Sequence, residues 1–218
     1  MNKKKEIHLR LDNIKPASSL PEMLSSAISE ELPLRGFYFE DEVIPREDMA
    51  RADADTIHFN RCRFESVHFE KGSFVNIKFS NCDLSNCNFK DAYFRDVIFE
   101  NCKGVGTQFI QSSMKNILLR DCNMNYSNFG QAKLENCSFL TSQFQSASLS
   151  QTILKSLHVS GCQFHSTDFF HTSLRGIDFS DSDLQGLLLS DELSEVKGTK
   201  MNLYQAAAIS QMLGIQIV

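Results

Sequence analysis

Cysteine is the first residue type in this chain with a spacing suited to chemistry. Cys62, Cys82, Cys102, Cys122 and Cys162 fall on one twenty-residue spacing, with Ser142 in the interrupted place. Cys87 and Cys137 complete the seven. Thiols aligned in this way could bind a metal or form disulfides. A zinc site, however, gathers four Cys, His or carboxylate ligands, and the ladder positions hold neither His nor carboxylate. The favoured reading is a small buried residue repeated in one slot. An odd cysteine count without CxxC fits a reduced, cytoplasmic protein. The six histidines are scattered, and no GxSxG, HExxH, P-loop or GxGxxG occurs. Gly104–Val105–Gly106 is the one glycine cluster. No Lys–Ser/Thr pair follows it, so it reads as a local bulge or kink rather than a phosphate cradle. No catalytic, cofactor or metal site is predicted, and no enzyme.

The elements that place these residues follow from a second regularity. The chain has 18 Phe but 4 Tyr and no Trp, as expected if one repeated slot accepts an unsubstituted ring. Stepping by five from Phe59 gives Phe64, Phe69, Phe74, Phe79, Leu84, Phe89, Phe94 and Phe99. The series continues to Leu189 and is broken only by Gly104. Two residues before the large one stands, in most units, a small or β-branched one, such as Cys62, Val67, Ile77, Cys82 and Ala92. The other three places are mostly polar. Neither a helical nor a strand period matches. A five-residue unit cannot bury its own apolar face, but stacked units can, which is the logic of a solenoid.

The units "CDLSN", "CNFKD" and "YSNFG" resemble the pentapeptide-repeat consensus, A(D/N)LXX, over residues 44–189. The resemblance implies an all-β fold, a right-handed quadrilateral β-helix with four units per coil. The twenty-residue cysteine spacing supports the four-unit coil independently. One continuous square solenoid is expected from Met49 to Leu189. The register never slips, so no loop inserts between coils.

An open solenoid must cover its ends. Residues 1–43 are read as an N-terminal extension and cap. A short strand is expected around the alternating Ile7, Leu9 and Leu11, and a helix from Ser19 to Leu32 with Pro21 in its first turn. The segment EVIPREDMARADADTIHFNRCRF resembles the lead-in to the coils of the Qnr and MfpA group of pentapeptide-repeat proteins. Residues 44–190 form the repeat body. Residues 191–218 are read as a polar turn, a helix with Met201, Tyr204, Ala208 and Met212 on one stripe, a stop at Gly214 and an apolar tail. This ending resembles that of the same group, which implies a homodimer joined through Met201, Leu203, Tyr204, Met212, Leu213, Ile215 and Ile217. No charge follows Lys200, and the tail is too apolar for a lone surface.

A net charge of −5 argues against direct nucleic-acid binding. No apolar run reaches the ~18 residues of a membrane span, and MNKKKEIHLRL lacks the apolar stretch of a secretory signal. Folded four units to a coil, three faces are mildly acidic. The fourth carries Arg95, Lys115, Lys133, Lys155 and Arg175 against Asp96 and Glu135. The Qnr and MfpA resemblance implies a non-enzymatic DNA mimic. It would bind DNA gyrase or topoisomerase IV through acidic faces and protect the enzyme from quinolones or other poisons. The candidate partner-binding residues are Glu100, Asp121, Asp178, Asp181, Asp83 and Asp183. The alternative is an interaction scaffold with another partner, for which Ile98, Leu118 and Leu140 form an exposed apolar patch.

Overall fold

The computed structural model describes residues 7–217. The residue two places after the large apolar one adopts a left-handed backbone at every step from Arg61 to Gly176, and again at Gly186. Its φ is 52° at Arg61, 55° at Asn76, 56° at Asn81, 58° at Asp91 and 56° at Asn136. One left-handed residue turns an otherwise extended chain, so the backbone bends once per pentapeptide. Asn, Asp and Gly reach this conformation most easily, which accounts for Asn76, Asn81, Asn86, Asp91, Asp96, Asn101, Asn116, Asp121 and Asn136 at these bends.

The elements run β1 (Lys15–Ala17), α1 (Leu20–Ser29), β2 (Leu34–Arg35), β3 (Phe37–Glu40), β4 (Val43–Ile44), β5 (Asp53–Asn60), β6 (Arg63–Phe64), β7 (Ser73–Ser80), β8 (Tyr93–Glu100), β9 (Ser113–Arg120), β10 (Lys133–Leu140) and β11 (Ile153–Ser160). A 3-10 turn (Ser194–Val196) and α2 (Leu203–Met212) follow. Every pairing in the main sheet is parallel, in the order β1-β3-β5-β7-β8-β9-β10-β11. Successive coils register twenty residues apart, as in Phe59↔Phe79↔Phe99↔Leu119↔Phe139↔Val159. Single bridges continue the same register on other sides, as in Arg63↔Asp83↔Lys103↔Asn123 and His68↔Asn88↔Gln108↔Asn128. The result is a parallel β-solenoid of about 7 turns.

The large residues fill the bore. Phe59, Phe79 and Phe99 stack with centroids 5.0 Å apart, and Phe69 and Phe89 at 5.1 Å. Neighbours around one coil meet edge to face, as Phe69 and Phe74 do at 5.5 Å; both arrangements suit the ring quadrupole. The series is buried except at Leu154 and Leu189, which are half-buried. Gly104 neither bulges nor kinks the rod. The register continues through it, and the thioether of Met124 occupies the space its side chain would take, 2.5 Å from where a Cβ would stand.

Both ends are closed by side chains. Leu20 and Leu24 of α1 are buried and line the end of the core with Phe59, Phe64, Phe69 and Phe74. This helix is shorter than the sequence suggests. It stops at Ser29, and Leu32 is exposed. The strand expected around Ile7, Leu9 and Leu11 is absent. That segment joins no sheet, and its backbone bonds to a side chain instead (below). At the other end Gln205, in the first turn of α2, donates to the carbonyls of Phe179 (2.9 Å) and Ser182 (2.6 Å). The buried Glu195 accepts from the backbone N–H of His171 (2.8 Å) and Ser190 (3.3 Å) and from the Ser190 hydroxyl (2.9 Å). Two polar side chains thus satisfy backbone groups of the final coil.

Replacing Phe129, stacked 4.8 Å from Phe109, with Ala should destabilise the rod by about 3–5 kcal/mol in chemical denaturation. Glu195 gives a pH signature. Burial works to raise its pKa, but hydrogen bonds from the backbone of Glu195, His171 and Ser190 and from the Ser190 hydroxyl outweigh it and hold the carboxyl below its ordinary value. A depressed folded pKa means a contribution that is complete above the unfolded value of about 4.3 and lost as pH falls through the folded one. The thermal midpoint should therefore fall on acidification below pH ~4.3, and Glu195→Gln should show a smaller fall between pH 7 and 3.5 than the parent chain.

Candidate interaction surface

The cysteine ladder is structural. All seven cysteines are free and buried. The Cys82, Cys102 and Cys122 thiols each donate at 3.4 Å to the carbonyl 23 residues earlier, of Phe59, Phe79 and Phe99. Thr107 and Thr152 place a hydroxyl in the equivalent position, 2.8 Å from the carbonyls of Leu84 and Phe129. The slot therefore takes a small side chain with a donor that reaches the preceding coil. Burial pushes the Cys87 and Cys137 thiols up to about 12, far from the thiolate that redox or metal chemistry needs. Among the described residues, no group of three or more His, Cys, Asp or Glu could hold a metal ion. None of their helices is long and apolar enough to cross a membrane.

The outward residues form columns along the rod. Two of the six candidate acidic residues are tied into ion pairs. Glu100 lies 3.0 Å from Lys78 and 3.2 Å from Arg120, and the hydrogen bond from Lys78 holds its carboxyl below the usual range. Asp83 lies 3.3 Å from Lys103. Asp183 stands at the far end of the same column of bridges as Asp83, 2.7 Å from His165. Asp121 accepts from the Thr141 hydroxyl. Asp178 and Asp181 lie together at the C-terminal end. Asp178 accepts from Ser180, through N–H at 3.0 Å and hydroxyl at 2.7 Å, and Asp181 accepts from the Ser160 hydroxyl at 2.7 Å. The six are thus strung along the rod. On the basic side, Lys115 pairs with Glu135 at 2.8 Å and Arg95 with Asp96 at 3.7 Å.

The apolar patch expected at Ile98, Leu118 and Leu140 is not openly exposed. Leu118 is buried and the other two are half-buried. With Lys78, Glu100, Arg120, Ser138 and His158 they line a groove of about 410 Å³, into which Ile7 and His8 descend. Asn76 holds this strap in place. Its side-chain carbonyl accepts from the Arg10 N–H at 2.8 Å, and its amide donates to the Arg10 carbonyl at 2.7 Å. Sequence reading missed Asn76, Glu195 and Gln205. The recurrence of Asn and Asp two places after the large residue was the available signal for Asn76; the other two carried none.

The C-terminal residues named from sequence are mostly open to solvent. Leu203 is 80% exposed and Tyr204 85%, with Met212, Leu213, Ile215 and Ile217 also exposed. Met201 packs against the core, and Gln205 is the buried residue of α2. A capping box between Asn202 and Gln205 starts that helix.

Family models for a pentapeptide repeat region match residues 52–129 and 72–149, and one for pentapeptide repeats (8 copies) matches 142–186. No curated protein matches. Solved structures match at low identity and with TM-scores below 0.5. A pentapeptide repeat protein from the Arabidopsis thaliana thylakoid lumen is 20% identical, with a TM-score of 0.40, over 41% of this chain and 63% of that one. A trypsin-treated form of QnrB1, a plasmid-mediated fluoroquinolone resistance protein, is 21% identical, with a TM-score of 0.36, over 83% and 97%. HetL, a pentapeptide repeat protein involved in heterocyst differentiation regulation in Nostoc sp. strain PCC 7120, is 14% identical, with a TM-score of 0.34, over 85% and 98%. The five-residue series, the twenty-residue coil and the family models agree, and the chain belongs to the pentapeptide-repeat family.

Proposed function

We propose that this rod is a non-enzymatic, cytoplasmic protein that binds a bacterial type II topoisomerase, DNA gyrase or topoisomerase IV, in the manner of a DNA mimic. The observation that carries the reading is the C-terminus: a helix and tail whose apolar residues Leu203, Tyr204, Met212, Leu213, Ile215 and Ile217 are exposed. A row of this size on one end of a rod suits an isologous contact with a second copy. It also accords with the ending of the Qnr and MfpA group. Seven coils at about 4.8 Å span ~34 Å, so two rods end to end span ~67 Å, close to about twenty base pairs at ~3.4 Å each. The carboxylates of Asp121, Asp178 and Asp181, which accept from the hydroxyls of Thr141, Ser180 and Ser160, would stand where phosphates stand in DNA, with Glu100, Asp83 and Asp183 lining the same flanks.

A second reading, a protein-interaction scaffold with another partner, is favoured by one observation. Glu100 and Asp83 are already neutralised by Lys78, Arg120 and Lys103, which leaves the rod weaker in negative field than a duplex.

Supercoiling by gyrase, followed with increasing protein and with and without a quinolone, separates the two. The mimic reading expects inhibition or protection at micromolar protein, weakening as salt rises because such contacts are screened over ~8–10 Å. Asp121→Lys with Asp178→Lys should weaken the effect more than Lys133→Glu with Lys155→Glu. Unchanged supercoiling and cleavage at high micromolar protein would leave the scaffold reading standing. Removal of residues 200–218 should convert a dimer to monomers or aggregates in light scattering, and a concentration-independent monomer for the intact chain refutes the dimer.

A further inference from the structure

We propose that the outer edge of β11 is a strand-addition site, and that it takes the C-terminal tail Leu213–Ile217 of a second copy of this chain. The first observation is a break in the ladder. From β5 to β11 each long strand pairs with the next. The coil above β11 does not continue the series on this side. Residues 172–180 form no strand, and no backbone hydrogen bond among the described residues joins them to Ile153–Ser160. A tight turn takes the strand's place, with the Ile177 N–H donating to the Leu174 carbonyl at 3.1 Å. Elsewhere in the rod the large residue and the left-handed residue each donate to the next coil. Phe69 does so to Asn88 at 2.7 Å, and Lys71 to Lys90 at 2.9 Å. In that register the N–H groups of Leu154 and Ser156 face the opening. An unpaired edge of this kind is a template for an added strand.

The second observation is that the core opens at the same place. Leu134 and Cys137 in the coil below are buried, and so are Leu174 and Ile177 in the coil above. Leu154 and Leu157, in the same slots between them, are only half-buried, and Ile153 is 54% exposed. On the other two sides of the rod Gln163↔Asp183 and Asp168↔Leu188 keep the ladder. The last coil therefore hangs from one half of the body, and it tilts to admit a strand about 4.8 Å from β11.

The third observation names the occupant. Gly214, with a φ of 76°, ends α2 and turns the chain aside. Its N–H donates to Gln211 at 2.9 Å, and that of Ile215 to Ser210 at 3.2 Å. Beyond the turn Ile215, Gln216 and Ile217 alternate as a strand does, with β-branched residues at the apolar places. Both isoleucines are exposed, so a chain's tail does not lie on its own edge. Their spacing of two equals that of inward pairs such as Ala132 and Leu134, which leaves Gln216 outward. Extended, five residues span about 17 Å, at about 3.3–3.6 Å each, more than the height of two coils. The edge and the tail lie at the same end of the rod, where the exposed face of α2 is proposed to meet its copy. In an isologous pair each chain gives one tail and receives one. The inference rests on that dimer and on no topoisomerase partner.

The test uses the full chain. Amide hydrogen exchange of residues 152–158 is followed by mass spectrometry over a series of protein concentrations, beside light scattering on the same samples. The segment should exchange several-fold more slowly once the dimer forms, while residues 132–138, in the closed ladder below, stay slow throughout. Gln216→Pro removes an N–H and cannot join a ladder, yet it keeps both isoleucines. In that variant residues 152–158 should exchange fast at every concentration. A dimer whose residues 152–158 exchange as fast as the monomer's overturns the proposal and leaves the dimer standing. A monomer at all concentrations overturns both. Slow exchange that is independent of concentration also overturns the proposal, since the edge is then covered from within the chain. If the variant fails to fold, as judged by circular dichroism, the concentration series on the unaltered chain decides alone.

Discussion

One left-handed residue in every five governs this molecule. It turns an extended chain without breaking the parallel ladder, and four such turns bring the chain back over itself, twenty residues on. Everything else depends on that closure. The coil leaves room inside for one large and one small side chain per pentapeptide, and the ladder fixes the coil spacing. Phenyl rings stack at about that spacing, as Phe79 and Phe99 do at 5.0 Å. Phe meets the requirement without carrying a polar group into the bore.

The same closure explains side chains that would otherwise invite a chemical reading. A buried small residue faces the carbonyl of a large one in the coil before it, so a weak thiol donor or a hydroxyl adds a contact and a larger group does not fit. Outside, the closure makes neighbours of residues twenty apart. Like charges in adjacent places of a column would repel, and several columns mix signs or use neutral amides, although Arg95 and Lys115 stand side by side on the basic face. Asn136 donates to Asn116, and Asn116 to Asp96; Arg120 and Lys78 flank Glu100. Near-neutrality along much of the rod follows from stacking as much as from any partner.

The body of the rod was legible in the sequence because its period is short and repeated many times, so Phe59 and Phe164 report the same slot. Gly104 misled because the residue that compensates for it, Met124, lies in the next coil, and a linear reading judges each slot alone. The N-terminal strap misled for a related reason. Ile7, Leu9 and Leu11 alternate like a strand, yet the partner of Arg10 is the side chain of Asn76, 66 residues away, and no local pattern encodes it. The end caps occur once each, so Glu195 and Gln205 had no repetition to reveal them. The candidate acidic residues could be sorted by face from the twenty-residue coil, but their neutralisation by Lys103 or Lys78 became visible only with side chains in place.

Within the body of the rod, each coil pairs with the coil above and the coil below. Adding or removing one block of twenty residues would therefore leave the cross-section and the ladder register unchanged, and would alter only contacts that, like the strap's, run along several coils. The rod is a ruler graduated in steps of about 4.8 Å. Its length is a quantised property, free to change by duplication or deletion within a gene, while the distance between its two ends stays defined to within one step.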